Sequence, residues 1–142
     1  MAFNVLVVDD SAVMRQMVVR TLKMSGLPLG TVLEAGNGEQ GLFVLQEQWV
    51  DLLLLDINMP VMNGEEMLRR VRANPETENL PVIVVSTEGS EARLQVLTDL
   101  GASIVRKPFA PETLRDTILR VTGVTDVEYY GPVPVAGDDG DF

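Results

Sequence analysis

Four segments of the chain end in groups that can hold or move a phosphoryl group: Asp9-Asp10, Asp56, Ser86-Thr87 and Arg106-Lys107-Pro108. Each follows a short apolar run, namely VLVV, LLLL, VIVV and SIV. A polar residue after a strand is usually a solvated turn, so no single member identifies a site. Their combination does. Three carboxylates drawn to one place repel by several kcal/mol at a low effective dielectric, and such a group persists only beside a cation. Oxygen donors suit a hard ion such as Mg²⁺, helped by the Lys107 ammonium. The chemistry this supports is phosphoryl transfer, in which a carboxylate attacks phosphorus while cation, ammonium and hydroxyl share the charge on the equatorial oxygens. Asp56 is the expected nucleophile. Asp-Asp-Ser follows the first run where a nucleotide-binding chain would carry a glycine-rich turn, so the phosphoryl group is expected to come from outside.

These groups need elements that bring them together. Phe3 to Val8 is an apolar run of strand length, and Ser11 opens a segment with apolar residues at 13, 14, 17, 18 and 22, which is helical spacing. Gly26 and Pro28 end it. Thr31 to Ala35 forms a second strand, followed by the helix cap Asn37 and a helix carrying Leu42, Phe43 and Leu45. Asp51 to Ile57 is the third strand. Asn63 with Glu66 caps a helix whose inward face is Met67, Leu68 and Val71. Val82 to Val85, a helix near Ser90 to Leu100, the short strand Ser103 to Arg106, and a helix from Pro111 to Gly123 striped by Leu114, Ile118 and Val121 complete the pattern. Strands that are apolar throughout and alternate with helices predict an α/β fold, a parallel sheet covered on both faces. In such sheets the site lies beyond the carboxyl ends of the strands. Strand two ends near Glu34, to which no role is assigned.

Composition bounds the function. With 142 residues, 46% hydrophobic and 23% charged, the chain is expected to form one soluble domain. No apolar run approaches the roughly 20 residues of a membrane span, so no membrane insertion and a cytoplasmic location are expected. Cysteine is absent, which fits a reducing compartment, and histidine is absent, so the chain itself carries no phosphohistidine. The net charge of −10 opposes direct nucleic-acid binding. Half of that charge comes from Asp126, Glu128, Asp138, Asp139 and Asp141, in a Pro/Gly-containing acidic tail expected to span 124–142 beyond a domain of 1–123.

VLVVDDSAVMR, DLLLLDINMPVMNG, PVIVVSTEGS, and GAS followed by KPF resemble the receiver domain of two-component response regulators, over roughly residues 3 to 122. The resemblance implies a flavodoxin-like, doubly wound sheet of strand order 2-1-3-4-5 with five helices. It implies that Asp56 accepts phosphate from a histidine kinase's phosphohistidine, and that Asp10, Asp56 and the backbone carbonyl of Asn58 ligate Mg²⁺, with Asp9 holding a metal-bound water. Ser86 and Lys107 would contact the phosphoryl oxygens, and Lys107-Pro108 would be a cis peptide. Asn58 and Glu88 match the pair found in stand-alone chemotaxis regulators that signal to the flagellar motor, where these positions influence how fast phosphate is lost. Two positions depart from that subfamily: Ile104 replaces its aromatic switch residue and Ile57 its tryptophan. Trp49 is expected to serve packing.

The function implied is a phosphorylation-dependent switch, not an enzyme beyond self-catalysed phosphoryl transfer and loss. Its output is a changed binding face on the fourth helix, fifth strand and fifth helix for a motor or other output protein, to which Arg93, Leu97, Arg106 and Arg115 could contribute. Three alternatives compete with this reading. A pseudo-receiver would keep the fold without the chemistry, but all five expected site residues are present. An aspartyl-phosphate phosphatase of the haloacid-dehalogenase type wants a second Asp where Asn58 stands. A regulator with an output domain would make the tail a linker.

Overall fold

The apolar runs become the strands of one sheet. The computed structural model describes residues 2–57, 59, 61–87 and 90–123. Among these, strands β1 (Phe3–Val8), β2 (Leu29–Ala35), β3 (Leu52–Leu55), β4 (Val82–Ser86) and β5 (Ser103–Arg106) alternate with helices α1 (Ala12–Met24), α2 (Gly38–Glu47), α3 (Gly64–Ala73), α4 (Glu91–Asp99) and α5 (Pro111–Thr122). All pairings are parallel and the strand order is β2-β1-β3-β4-β5. The α/β flavodoxin-like architecture expected from the sequence is the one observed.

The leucine run explains the layering. In β3, Leu53 and Leu55 enter one core with Met67, Leu68, Val71, Leu94 and Leu97, while Leu52 and Leu54 enter the other with Val18, Leu22, Leu114 and Ile118. Successive side chains of a strand point to opposite faces, so a strand sandwiched between helices must be apolar at every position. Each of the four leucines is at most 1% exposed, and removing each from water contributes about 2 kcal/mol.

Side-chain caps delimit the helices. Ser11, Asn37, Asn63 and Ser90 each accept from the backbone N–H three residues on, at Met14, Gln40, Glu66 and Arg93. Proline stands in the first turn of α5, and Gly123 closes that helix at φ 73°, a left-handed value glycine adopts without penalty.

Several expectations are corrected. The third strand is four residues long, because beyond Leu55 the chain leaves the sheet to turn into α3. In α1, Val13 and Met17 face solvent at 67% and 55% exposure, and in α2 Phe43 is also exposed. Trp49 does not pack in the core. It is 76% exposed, and its Nε1–H donates to Asp51 Oδ1 at 2.8 Å. Leu97 is 1% exposed and belongs to the core, so it offers no side chain to an outer face. The expected acidic tail of 124–142 lies outside the described residues, as do Asn58 and Glu88.

Candidate acidic site

Register delivers the site. Val8 is paired with Leu55, so the next residues, Asp9 and Asp56, leave neighbouring central strands level with one another. Leu55 pairs with Val84 and Ser86 with Arg106, which carries Ser86 and Lys107 to the same edge. The backbone ties continue past the strand ends: Asp56 N–H donates to the Val8 carbonyl at 2.9 Å, and Lys107 N–H to the Ser86 carbonyl at 3.0 Å. The Lys107-Pro108 peptide is cis.

The carboxylates converge. One oxygen from each of Asp9, Asp10 and Asp56 lies within 4.8 Å of the others. Asp9 is buried, Asp56 half-buried and Asp10 exposed, so the cluster opens to solvent on one side. Lys107 Nζ lies 3.7 Å from Asp9 Oδ2. Ser86 is buried, 1% exposed, at the end of β4.

Asp9 is fixed from several directions. Its backbone N–H donates to the Ala35 carbonyl at 3.1 Å, and its Oδ1 accepts the Ser11 N–H at 3.0 Å. Arg15 Nη1 donates to the Asp9 carbonyl at 2.6 Å, while its Nε donates to Glu34 Oε1 at 3.0 Å. Glu34 thus acquires a role: it holds the arginine that braces the loop after β1. Arg15 went unassigned from sequence. The available signal was its position one turn into α1, where a long cation can reach back over the helix N-terminus.

Gly64 shapes the other side. Its N–H donates to the Ile57 carbonyl at 2.8 Å, and a β-carbon there would stand 2.5 Å from the Asp56 carbonyl oxygen and 2.7 Å from Ile57 Cα. Helix α3 can abut the Asp56 segment only because residue 64 has no side chain. Ile104 pairs with Val84 in the sheet, is half-buried, and packs against the core that holds Leu94 and Leu97.

The donor set fits a hard divalent cation. Among the described residues every candidate ligand is a carboxylate oxygen, and three carboxylates against the Lys107 ammonium leave a formal surplus of two negative charges.

Residues 5–119 match the family model described as the response regulator receiver domain. The chain belongs to that family. Among its relatives, a chemotaxis protein CheY homolog of Campylobacter jejuni is 40% identical over 124 residues, covering 84% of this chain and 92% of that one. The chemotaxis protein CheY1 of Helicobacter pylori (strain J99) is 36% identical over 127 residues, covering 87% and 99%. The solved structure of chemotaxis response regulator CheY4 of Vibrio cholerae superposes with a TM-score of 0.74 at 38% identity, covering 85% of this receiver and 99% of its own chain. Receiver domains accept phosphoryl groups in two-component signalling, bind Mg²⁺ at an acidic pocket, and act as regulators between histidine kinases and downstream targets. No helix among the described residues of this receiver is long and apolar enough to cross a membrane.

Proposed function

We propose that Asp56 is the phosphoacceptor of a switch driven by a histidine kinase, with Asp9, Asp10, Asp56 and the Asn58 backbone carbonyl as the groups that would hold Mg²⁺. The observation that carries this is the convergence of the three carboxylates with Lys107 at the carboxyl edge of the sheet. A bound Mg²⁺ supplies positive charge against the carboxylates and the phosphoryl oxygens.

The chain's own groups divide the work. An Asp56 carboxylate oxygen attacks phosphorus as the bond from phosphorus to the kinase imidazole breaks, and the imidazole leaves with the electron pair of that bond. Lys107, held against Asp9, neutralises charge on the phosphoryl oxygens, and the Ser86 hydroxyl donates to one of them. Asp9 orients water and the ammonium while remaining anchored through Ser11 and Arg15. Self-catalysed transfer and hydrolysis are the only reactions assigned to the protein, and Asn58 and Glu88 are proposed to set the rate of phosphate loss.

Phosphate on Asp56 then biases a surface formed by α4, β5 and α5 toward a downstream protein. The exposed Arg106, 3.5 Å from Glu91 of α4, and Arg93 and Arg115 stand on these elements. Coupling passes through β4 and Ile104, whose contacts with the α4 core link the Ser86 strand to that helix without an aromatic ring. A bias of about 1–3 kcal/mol suffices. The chemotaxis relatives favour control of motility as the output, from a cytoplasmic location.

The test is intact-mass measurement after incubation with acetyl phosphate and Mg²⁺. Wild type gains one phosphoryl group, Asp56→Asn gains none, and a chelator abolishes the gain. Equal labelling of both proteins rejects Asp56 as acceptor, and labelling of neither rejects the switch in favour of a constitutive interaction module.

A further inference from the structure

At the opposite edge of the sheet, where the strands begin, the segments leading into β3 and β4 enclose an open groove of about 710 Å³. Residues 45–51 form one wall, and residues 75–77 and 79–81 the other. We propose that this groove docks a cationic segment of a partner protein, an extended stretch bearing arginine or lysine between apolar side chains.

Charge and surface chemistry select that occupant. Among the described residues the lining contains Glu47, Asp51 and Glu76 and no lysine or arginine. Its floor is apolar, with Leu45, Val50 and Leu80, and Trp49 stands at its mouth with 76% of its surface open to water. A large indole face beside carboxylates attracts a guanidinium or ammonium through both its quadrupole and the anions. A trough of about 160 Å³ continues from the groove along α2 and α3, sharing Leu45, Gln46, Glu76 and Thr77, so a segment several residues long is accommodated. Arg70 lines that trough but is paired with Glu66 at 3.2 Å.

The groove is also preformed. Trp49 is tethered through its Nε1–H to Asp51 Oδ1, and Asp51 Oδ2 accepts the Asn4 N–H at 2.8 Å, so the indole is anchored to β1. Across the groove, Arg72 Nη1 donates to the carbonyls of Glu78 and Leu80 at 3.0 and 2.7 Å, and Thr77 Oγ1 donates to the Val71 carbonyl at 2.7 Å. Walls held in place by their own hydrogen bonds lose little freedom when a ligand enters. An aromatic residue held rigid and exposed is the kind of anchor on which binding energy concentrates.

Trp49 is the sole tryptophan, so its emission reports on the groove directly. The probe is the blocked peptide acetyl-Leu-Arg-Leu-Arg-amide, with acetyl-Leu-Glu-Leu-Glu-amide as charge control, titrated into the full chain at low salt and followed by fluorescence and by amide NMR shifts. The expected result is saturable binding of the arginine peptide with a dissociation constant of about 1 mM or tighter. Shifts should be confined to 45–51 and 75–81, and the glutamate peptide should give no response. Glu47→Lys with Glu76→Lys, both at exposed positions, should weaken binding about tenfold, whereas Asp56→Asn should leave it unchanged. Shifts spread over the acidic surface including Asp10, undiminished binding by the double variant, or no binding would each overturn the proposal. So would concentration-dependent shifts at the groove without peptide, which assign it to a second copy, or cross-relaxation from residues 124–142 to the Trp49 ring, which assigns it to the chain's own tail.

Discussion

Lys107 Nζ stands 3.7 Å from Asp9 Oδ2, and both side chains are largely shut off from water, at 15% and 5% exposure. This ammonium faces an anionic cluster that has no other lysine near it in sequence, since the chain contains one more, Lys23 in α1. Removing it leaves three carboxylates against one another. Lys107→Met should therefore lower stability in chelator by about 1–3 kcal/mol in urea unfolding, with Mg²⁺ restoring more of the loss than it adds to wild type. Equal stability of the two proteins in chelator would show that the pair supports nothing.

The converse change relieves repulsion. Asp56→Asn should raise the stability of the metal-free protein by about 1 kcal/mol at low salt, a gain that shrinks as added salt screens the remaining charges. Urea midpoints at two ionic strengths in chelator measure this. A destabilised variant would mean that the Asp56 carboxylate is held by favourable contacts that outweigh the repulsion.

Arg15 and Glu34 test whether the loop after β1 must be braced. Arg15→Met loses the bond to the Asp9 carbonyl and the partly exposed pair with Glu34, whose worth to global stability is no more than about 1 kcal/mol. Misplacing the loop should still slow labelling by acetyl phosphate by about tenfold. Unchanged kinetics in a folded Arg15→Met protein would leave the arginine a purely structural tie.

Gly64→Ala pushes a methyl group into the backbone of Asp56 and Ile57. The expected cost is about 1–3 kcal/mol, read by thermal unfolding, together with slower phosphorylation because the displaced segment is the one that carries the proposed acceptor. Gly64 replaced without either effect would mean that α3 can slide away freely.

Arg72 is bound by carbonyls: Leu100 at 2.7 Å through Nε, Glu78 and Leu80 through Nη1, and Gly101 at 3.4 Å through Nη2. Lysine has no planar fork to reach them, so Arg72→Lys should cost about 1–3 kcal/mol in urea unfolding. Burial holds this guanidinium below its ordinary pKa. The folded value is depressed for a base, so desolvation opposes folding while the group is charged and is relieved only as pH rises through that lowered value. Deficits of the lysine variant that vanish at neutral pH would contradict this arrangement.

Much of this architecture was legible in the chain. The strand runs VLVV, LLLL and VIVV are apolar at every position because each face meets helices, whereas a strand with one wet face would alternate apolar and polar residues. Asn37 and Asn63 marked two helix starts by their cap chemistry, and Ser11 and Ser90, read only as the beginnings of helical segments, prove to cap theirs as well. The convergence of polar groups was legible for a related reason: Asp9, Asp56 and Lys107 follow directly on strands, Asp10 comes one residue later and Ser86 ends β4, and parallel strands bring such positions to one edge.

Other features depend on relations that no local pattern carries. The burial of Leu97 follows from how α4 settles on the sheet, the reach of Arg15 to both Glu34 and the Asp9 carbonyl from how α1 lies against β2, and the exposure of Trp49 from its place in the turn between α2 and β3. The sequence by itself determined the order of elements and the kind of chemistry at their ends, because periodicity and residue type act locally. Only the tertiary structure decided which carboxylate the Lys107 ammonium faces, which apolar side chains stay wet, and where an acidic groove opens, because distances and burial arise from contacts between segments far apart along the chain.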